Sequence, residues 1–485
     1  MNIRHLLATA AIVAAAQTTY AQYAQDAVRF SSFNTGSTAR IKGIGNAGTA
    51  IGGDLSSISG NPAGTGFFTH SELSITPEYN GSNVNAGYFG SANTANKSAL
   101  NLNNASVLFY SKLNSARGAD KTQGWLSLNF GIAYARTNNF YQNTYYNGQN
   151  NQNNIAQYYA AQANQFGVNG GLAGWAYDQN LIDFYNSANA YKSNVVSGTV
   201  GQSRNVVSTG GQSEINLSLG TNYSNKLYLG LGMGIASIRY NMQSAFVETG
   251  TASVFENNNT TTANRAYNST FSQDQQSRGT GVNLKLGFIY KPVEAVRIGG
   301  SLTTPTWYKV DDNYNEGLRT TLNNGFSGSN GDNYPYTYNF RTPLKLAGGI
   351  AFFLGKYGFI TGDVEYQDYS SIHLDYDTDQ QDNNDIKRLY RSVVNARVGA
   401  ELKLDQLYFR GGYGTQGNPM KSESGNMNTA TAGIGYRFGS YFIDAAYSHI
   451  TNNSTVYPPY DLTTNYGASM KSTYDNVFLT LGLRF

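Results

Sequence analysis

Val477-Phe478-Leu479-Thr480-Leu481-Gly482-Leu483-Arg484-Phe485 closes the chain, and it alternates strictly. Val477, Leu479, Leu481, Leu483 and Phe485 fall on one face of a strand. Phe478, Thr480, Gly482 and Arg484 fall on the other, because successive strand side chains point to opposite sides. An unbroken apolar row with an Arg behind it separates two solvents. In a soluble sandwich the apolar row meets a core; in a membrane barrel it meets lipid, and Arg484 faces a wet lumen.

Alternating segments recur upstream. They predict strands near 71–80, 102–112, 124–137, 212–222, 226–241, 279–290, 295–310, 342–354, 357–370, 391–404, 406–415, 429–438, 440–451 and 472–485. The gaps Tyr223-Ser224-Asn225, Lys291-Pro292-Val293-Glu294, Gly355-Lys356, Asp405 and Gly439 are tight, whereas the others are long and rich in Asn, Gln, Tyr, Ser, Thr and Asp. Short turns at one end and long polar loops at the other describe a transmembrane antiparallel β-barrel of about 14 strands. An even count returns both ends of the barrel to one side.

Charge placement separates the barrel from the sandwich. With the apolar parity outward, Lys285, Arg297, Lys345, Asp363, Glu365, Arg397, Glu401, Lys403, Arg410, Arg437 and Asp444 all point inward. An Arg or Lys on the lipid face at mid-bilayer costs about 2–4 kcal/mol, which is cause enough for that segregation. A half-buried sandwich has no need to keep every charge off so many long strands. Tyr290, Tyr308, Tyr366, Tyr369, Tyr436, Phe438 and Tyr441 sit near predicted strand ends, where aromatic girdles or plain strand propensity would put them.

The amino terminus specifies the route. Arg4 and His5 precede an apolar run from Leu6 to Ala16, and small residues lead to Thr19-Tyr20-Ala21. These are the charged, apolar and cleavage regions of a secretory signal peptide, residues 1–21, with Ala24 as the next candidate cleavage point. No later segment has the roughly 18 continuous apolar residues of a membrane helix. Charged residues make up only 13% of the chain and the net charge is +3, too little to argue for nucleic acid. With no Cys there is no disulfide framework.

Residues 22–70 read differently from the strands. Ala39 to Asp54 is small and Gly-rich, and Asn61-Pro62-Ala63-Gly64 follows. A barrel of about 14 strands is too wide for its own side chains to fill, and a small-residue segment folded into the lumen would close it. Gly43, Gly45 and Gly48 do match a dinucleotide-binding spacing. That fingerprint needs a βαβ unit and an acid about 20 residues on; Asp54 is too close, and nothing alternates strand with helix.

The signal peptide, the Gly/Ala-rich block and Asn61-Pro62-Ala63 just ahead of the first strand resemble the FadL/TodX-type outer-membrane transporters of hydrophobic compounds. The resemblance implies a barrel over 71–485 plugged by an N-terminal hatch over 22–70, in which Gly43, Gly45, Gly48, Asn61, Pro62 and Ala63 form the hatch. It implies capture of a long-chain fatty acid or similar lipophile outside, and release sideways through the wall beside a kinked early strand. By position that is the third strand, Trp125 to Arg136, in which Gly131 is the weak point. It further implies a monomer in the outer membrane of a Gram-negative-type bacterium, crossing it many times. Outer-membrane barrels are also resembled in the final Phe485, the end their assembly machinery reads.

The largest loop, 138–211, is the candidate capture site. Between Ile155 and Tyr191 the apolar spacing suggests one or two helices carrying Phe166, Trp175, Phe184 and Tyr185, which could line a groove or simply pack the loop. Lys285, Arg297, Arg397 and Arg410 are candidate lumen partners for an anionic headgroup, or for the lumen carboxylates. A general porin would use the same charges, and an adhesin or surface receptor the same loops. Catalysis is not expected. There are four His, and neither a Gly-x-Ser-x-Gly elbow nor an HExxH motif is present. No cofactor or metal is expected.

Overall fold

The strands form where apolar and polar residues alternate, and each is joined to the next by whichever turn its ends allow. The computed structural model describes residues 21–32, 36–114, 120, 122–196, 198–256, 261–375, 380–423, 425–460, 462 and 466–485. The expected signal peptide lies outside them except for Ala21.

In chain order the strands are β1 (Glu72–Tyr88), β2 (Ser91–Phe109), β3 (Trp125–Asn139), β4 (Gln142–Asn150), the small hairpin β5 (Ile182–Tyr185) and β6 (Ala190–Ser193), β7 (Val200–Tyr223), β8 (Leu227–Glu256) and β9 (Thr261–Val293). There follow β10 (Val296–Thr303), β11 (Trp307–Leu322), β12 (Ser327–Arg341), β13 (Lys345–Phe353), β14 (Gly358–Asp368), β15 (His373–Asp375), β16 (Ser392–Leu404), β17 (Leu407–Gln416), β18 (Met427–Phe438), β19 (Tyr441–Val456) and β20 (Ala468–Arg484). Neighbours pair antiparallel, and β20 returns to β1 from Glu72 opposite Arg484 to Gly87 opposite Ser469. That pairing closes the barrel, reinforced where Arg484 Nε donates to Glu72 at 3.0 Å.

Four wall strands are interrupted, one of them β14, which resumes as β15 after a 3-10 turn at Tyr369–Ser371 and there pairs with β12. β10 and β11 are one strand broken at Thr304-Pro305-Thr306, and β12 and β13 are one strand broken at Thr342-Pro343-Leu344. Proline has no N–H for the ladder, so each break falls where pairing must lapse. β3 and β4 are separated by Phe140-Tyr141, and both pair with β7. Counting each interrupted pair once gives a closed barrel of 14 strands, the expected number.

The tight turns behave as their sequences predict. Ser224, Asn225, Gly355, Asp405 and Gly439 all have φ between 53° and 58°, the left-handed backbone of short hairpins. The outward face is apolar and exposed all round: Leu231 is 50% exposed, Leu286 52%, Val398 57% and Leu481 44%. A row so exposed belongs against lipid. Exposed Trp125, Tyr223, Tyr290 and Tyr441 edge it on the short-turn side, and Tyr79, Tyr366, Tyr413 and Tyr447 on the other. Tyr308 and Tyr369, expected in the girdle, are instead buried inside the wall, where Tyr308 stacks on Phe340 at 5.1 Å. Among the described residues no helix is long and apolar enough to cross a membrane.

Several strands run well past their expected ends. β1 reaches Tyr88 and β2 starts at Ser91, joined by a tight turn at Phe89-Gly90 where a long gap was expected. β8 and β9 are 30 and 33 residues long, and β11 and β12 continue the same sheet. These extensions stand beyond the lipid on the long-loop side. Their outer face is polar, and their inner face mixes apolar residues such as Phe246, Val254 and Phe271 with polar ones such as Ser244 and Glu248, so no continuous apolar row marks them.

Candidate functional site

The N-terminal segment lies inside the barrel. Helix α1 (Ala21–Ser31) is followed by α2 (Ala39–Gly43) and two 3-10 turns, Leu55–Ile58 and Pro62–Phe67. Thr38 caps α2 and Asn61 caps the second turn, its side chain accepting from Ala63 N–H. The same Asn61 donates to Thr49 O at 2.7 Å and to Phe288 O of β9 at 3.2 Å. Asn129 of β3 donates to Thr65 O at 2.7 Å, Thr431 of β18 to Gly43 O at 3.0 Å, and Ala39 N–H to Thr480 of β20 at 2.7 Å. Thr49 N–H donates to Asp363 of β14 at 2.8 Å.

Close approach explains the small residues on both sides. A Cβ on wall Gly287 would sit 1.9 Å from Asn61 Oδ1, one on Gly230 2.2 Å from Ala63 N, and one on Gly399 2.3 Å from Ile44 O. Gly43 meets the Arg410 side chain and Gly433, Gly45 turns with φ +70° against Tyr413, and Gly48 rests on Ile41. The wall glycines were the missed signal. They fall on the inward parity of their strands.

All four candidate lumen cations are engaged. Arg410, whose side chain is fully buried, donates to Glu401 and Asp444 at 2.7 Å each, and Arg40 of α2 reaches the same Glu401 at 2.9 Å. Lys285 pairs with Glu214 and donates to Ser59 O at 3.0 Å. Arg397 and Lys345 flank Glu365 at 3.3 and 3.6 Å. Arg297 donates to Ile51 O, and its guanidinium lies 4.4 Å from the ring of Phe67 and 3.9 Å from that of Phe353. These charges join the N-terminal segment to the wall, with a cavity of about 70 Å³ between the two beside Lys345, Glu365 and Arg397.

Toward the long-loop end the interior turns apolar. Ala24, Ala27, Val28 and Phe30 of α1 pack into a chamber of Phe140, Ile238, Tyr240, Tyr308, Val310, Tyr338, Phe340, Tyr369, Ile372, Leu374, Ile386 and Tyr390. Phe30 sits 5.8 Å from Phe140 and 5.9 Å from Tyr240, ring centre to ring centre. Asp26 pairs with Arg29 and accepts from Gln275 at 2.6 Å, and burial pushes its carboxyl above the ordinary carboxylate range.

Beside this chamber the wall is not fully zipped. β2 and β3 pair only from Asn104 opposite Ala135 to Phe109 opposite Phe130. Above that point β2 from Ser91 to Asn103 has a ladder with β1 alone. β3 bulges between Arg136 and Asn138 against β7, so it bends away just where the pairing ends. The bend lies beyond Gly131, which instead receives the side chain of Ile58. Gly36-Ser37 lies in the gap: Asn103 donates to Ser37 O, and a Cβ on Gly36 would be 2.6 Å from backbone atoms of both Asn103 and Arg136. Higher up, Asn93 and Asn143 side chains bridge to Asn147 and Asn96 O.

The loop over 138–211 folds as a cap. Helices α3 (Ile155–Phe166) and α4 (Gly171–Asp178) match the expected pair, but Phe184 and Tyr185 stand on β5 rather than on a helix. Trp175 is buried in the cap core with Tyr159, Phe246 and Phe271. Phe166 is 66% exposed and Phe184 41%, with Tyr191 packed edge-on against Phe184 at 5.2 Å. The four capture candidates therefore divide: one packs the cap, and two present rings to solvent with Tyr185 half-buried beside them.

No protein-family model matches the sequence, and no curated protein matches it. Solved structures do match in fold. A FadL homologue of Pseudomonas aeruginosa aligns over 93% of this chain and 99% of its own at 13% identity, with a TM-score of 0.53. The P. putida toluene transporter TodX aligns over 93% and 99% at 11% identity, with a TM-score of 0.54. The CymD monoaromatic hydrocarbon channel aligns over 93% and 98% at 11% identity, with a TM-score of 0.50. The likeness is one of fold: this chain has the closed 14-strand outer-membrane barrel architecture of these structures, in agreement with the resemblance carried by its N-terminal block.

Proposed function

We propose that this barrel takes hydrophobic small molecules, long-chain fatty acids or lipophiles of similar size, inward across an outer membrane. In this reading residues 22–70 act as a plug. Solute settles on the exposed rings of Phe166 and Phe184, enters the aromatic chamber by displacing α1, and leaves sideways between β2 and β3 when Gly36-Ser37 withdraws. The observation that carries the reading is the edge of β2 from Ser91 to Asn103, which has no ladder with β3 and is stopped at its lower end, by Asn103, by Gly36-Ser37 of the chain's own N-terminal segment.

The physics of the solute supports the same route. A water-filled pore does nothing for a molecule that water does not dissolve, whereas an apolar chamber opening to lipid lets it avoid water throughout. The lumen cations support it too, since Arg410, Lys285, Arg397 and Arg297 are occupied by the plug and the wall rather than lining a free aqueous path. The fold shared with a toluene transporter and a monoaromatic hydrocarbon channel is consistent with such a solute.

The test is uptake of a labelled long-chain fatty acid and of labelled toluene by cells making the wild type, Gly36→Val, or Asn61→Ala/Pro62→Ala. The wild type should import at least one of the two, and both variants should change its rate with the barrel still folded. Absence of uptake of both solutes, together with stable single-channel conductance of the wild type, would replace this reading with an aqueous porin.

A further inference from the structure

On the outer wall, four exposed basic side chains gather in one sector: Arg239 of β8, Arg278 of β9, Lys309 of β11 and Arg341 of β12. We propose that they form a binding site for the phosphorylated headgroup of an outer-leaflet glycolipid. The proposal rests on which way the barrel faces and not on what solute it carries.

The strand register fixes their height. Ile235 lies opposite Val282, and Val282 opposite Trp307, which makes the last apolar row of this sector. Arg341 pairs opposite Trp307 at that row, and Lys309 is the next outward residue on β11. Arg239 and Arg278 lie one outward residue higher again, directly opposite each other. At about 3.3 Å per residue and 4.8 Å between strands, all four fall within roughly 20 Å of one another and just above the hydrocarbon. That level is where headgroup phosphates lie. It is on the long-loop side, so the leaflet is the outer one.

The patch is uncompensated. Like charges directly across a strand pair destabilise a sheet, yet Arg239 faces Arg278. Among the described residues no Asp or Glu forms an ion pair with any of the four. Asp311, which lies opposite Arg278, accepts the Thr337 hydroxyl at 2.7 Å instead. Arg278 is held by the carbonyls of Tyr240 and Ser277 at 3.1 and 3.0 Å and by Asn241 at 2.8 Å, a fixed guanidinium rather than a free one. Guanidinium groups take phosphate oxygens bidentately, and acyl chains of the same lipid would lie along Ile235, Val282 and Leu284 below. A free phosphate would gain only the first of these contacts.

The experiment titrates purified full-length barrel in zwitterionic detergent with a bis-phosphorylated glucosamine-disaccharide lipid. Parallel arms use the same lipid stripped of phosphate, phosphatidylethanolamine, and inorganic pyrophosphate. Tight binding of the first probe alone is expected. Arg239→Gln/Arg278→Gln/Lys309→Gln/Arg341→Gln should weaken it by roughly 600-fold, from about fivefold per interfacial charge. Lys226→Gln/Lys356→Gln, exposed at turns on the opposite side, should bind as wild type. If the quadruple variant fails to fold, Arg239→Gln/Arg278→Gln alone should lose on the order of tenfold, and wild-type binding should fall with added salt. Equal binding of the dephosphorylated lipid, equal binding of pyrophosphate, or undiminished binding by the charge variants would each overturn the proposal.

Discussion

A methyl group on Gly287 would land 1.9 Å from Asn61 Oδ1, although the strand itself accepts alanine. Gly287→Ala should therefore push the Asn61-Pro62-Ala63 turn off the wall without unfolding the barrel. The expected result is a new ion conductance in planar bilayers, with the folded protein keeping its heat-modifiable gel mobility. Arg410 works in the opposite sense. Its buried guanidinium separates Glu401 from Asp444, and Arg410→Gln leaves Glu401 only Arg40 and Asp444 only Arg437. Removing one partner of a buried ion pair costs about 3–5 kcal/mol, and the urea midpoint should fall accordingly. The inward parity of these charges was legible in the sequence, because lipid forbids the other side. Their partners were not. Lys285 and Glu214 lie 71 positions apart, and only the register of β7 through β9 brings them together.

Helix α1 is the element on which the interior turns. Removing residues 22–32 should leave the barrel closed, since its ladder runs from β1 to β20 without that helix. It should also expose the aromatic chamber, so a lipophilic fluorescent probe should bind the shortened protein more tightly than the full chain. In the cap the expected outcomes diverge by position. Trp175→Asp buries a charge among Tyr159, Phe246 and Phe271 and should make the loop over 138–211 sensitive to protease. Phe184→Asp alters an exposed ring, should leave protease resistance intact, and should reduce uptake if that ring receives solute. The membrane-level strands were readable because lipid outside and water inside impose a period of two. The extensions at 242–256, 261–278 and 327–341 were not, because no lipid meets their outer face and their inner face alternates buried apolar residues with buried polar ones, so no single parity stands out. The bend in β3 was likewise hidden, since a bulge at Arg136/Asn138 needs no Pro or Gly to mark it.

At the scale of the whole molecule the barrel is far taller than the bilayer. Thirty residues of β8 span about 100 Å along the strand, roughly 70 Å once tilted, against an apolar band of about 25 Å. The mouth of the structure thus stands tens of ångströms clear of the lipid surface. The seam between the first and last strands carries a different consequence. Ala39 N–H bonds to Thr480 across 441 positions, and Thr480 in turn bonds to Thr76 of β1. A contact that distant cannot form until nearly all of the polypeptide has been laid down, so it is among the costliest in chain entropy and the latest to be made. The N-terminal segment reaches these bonds only where β20 meets β1, so fastening it there and closing the wall are one event.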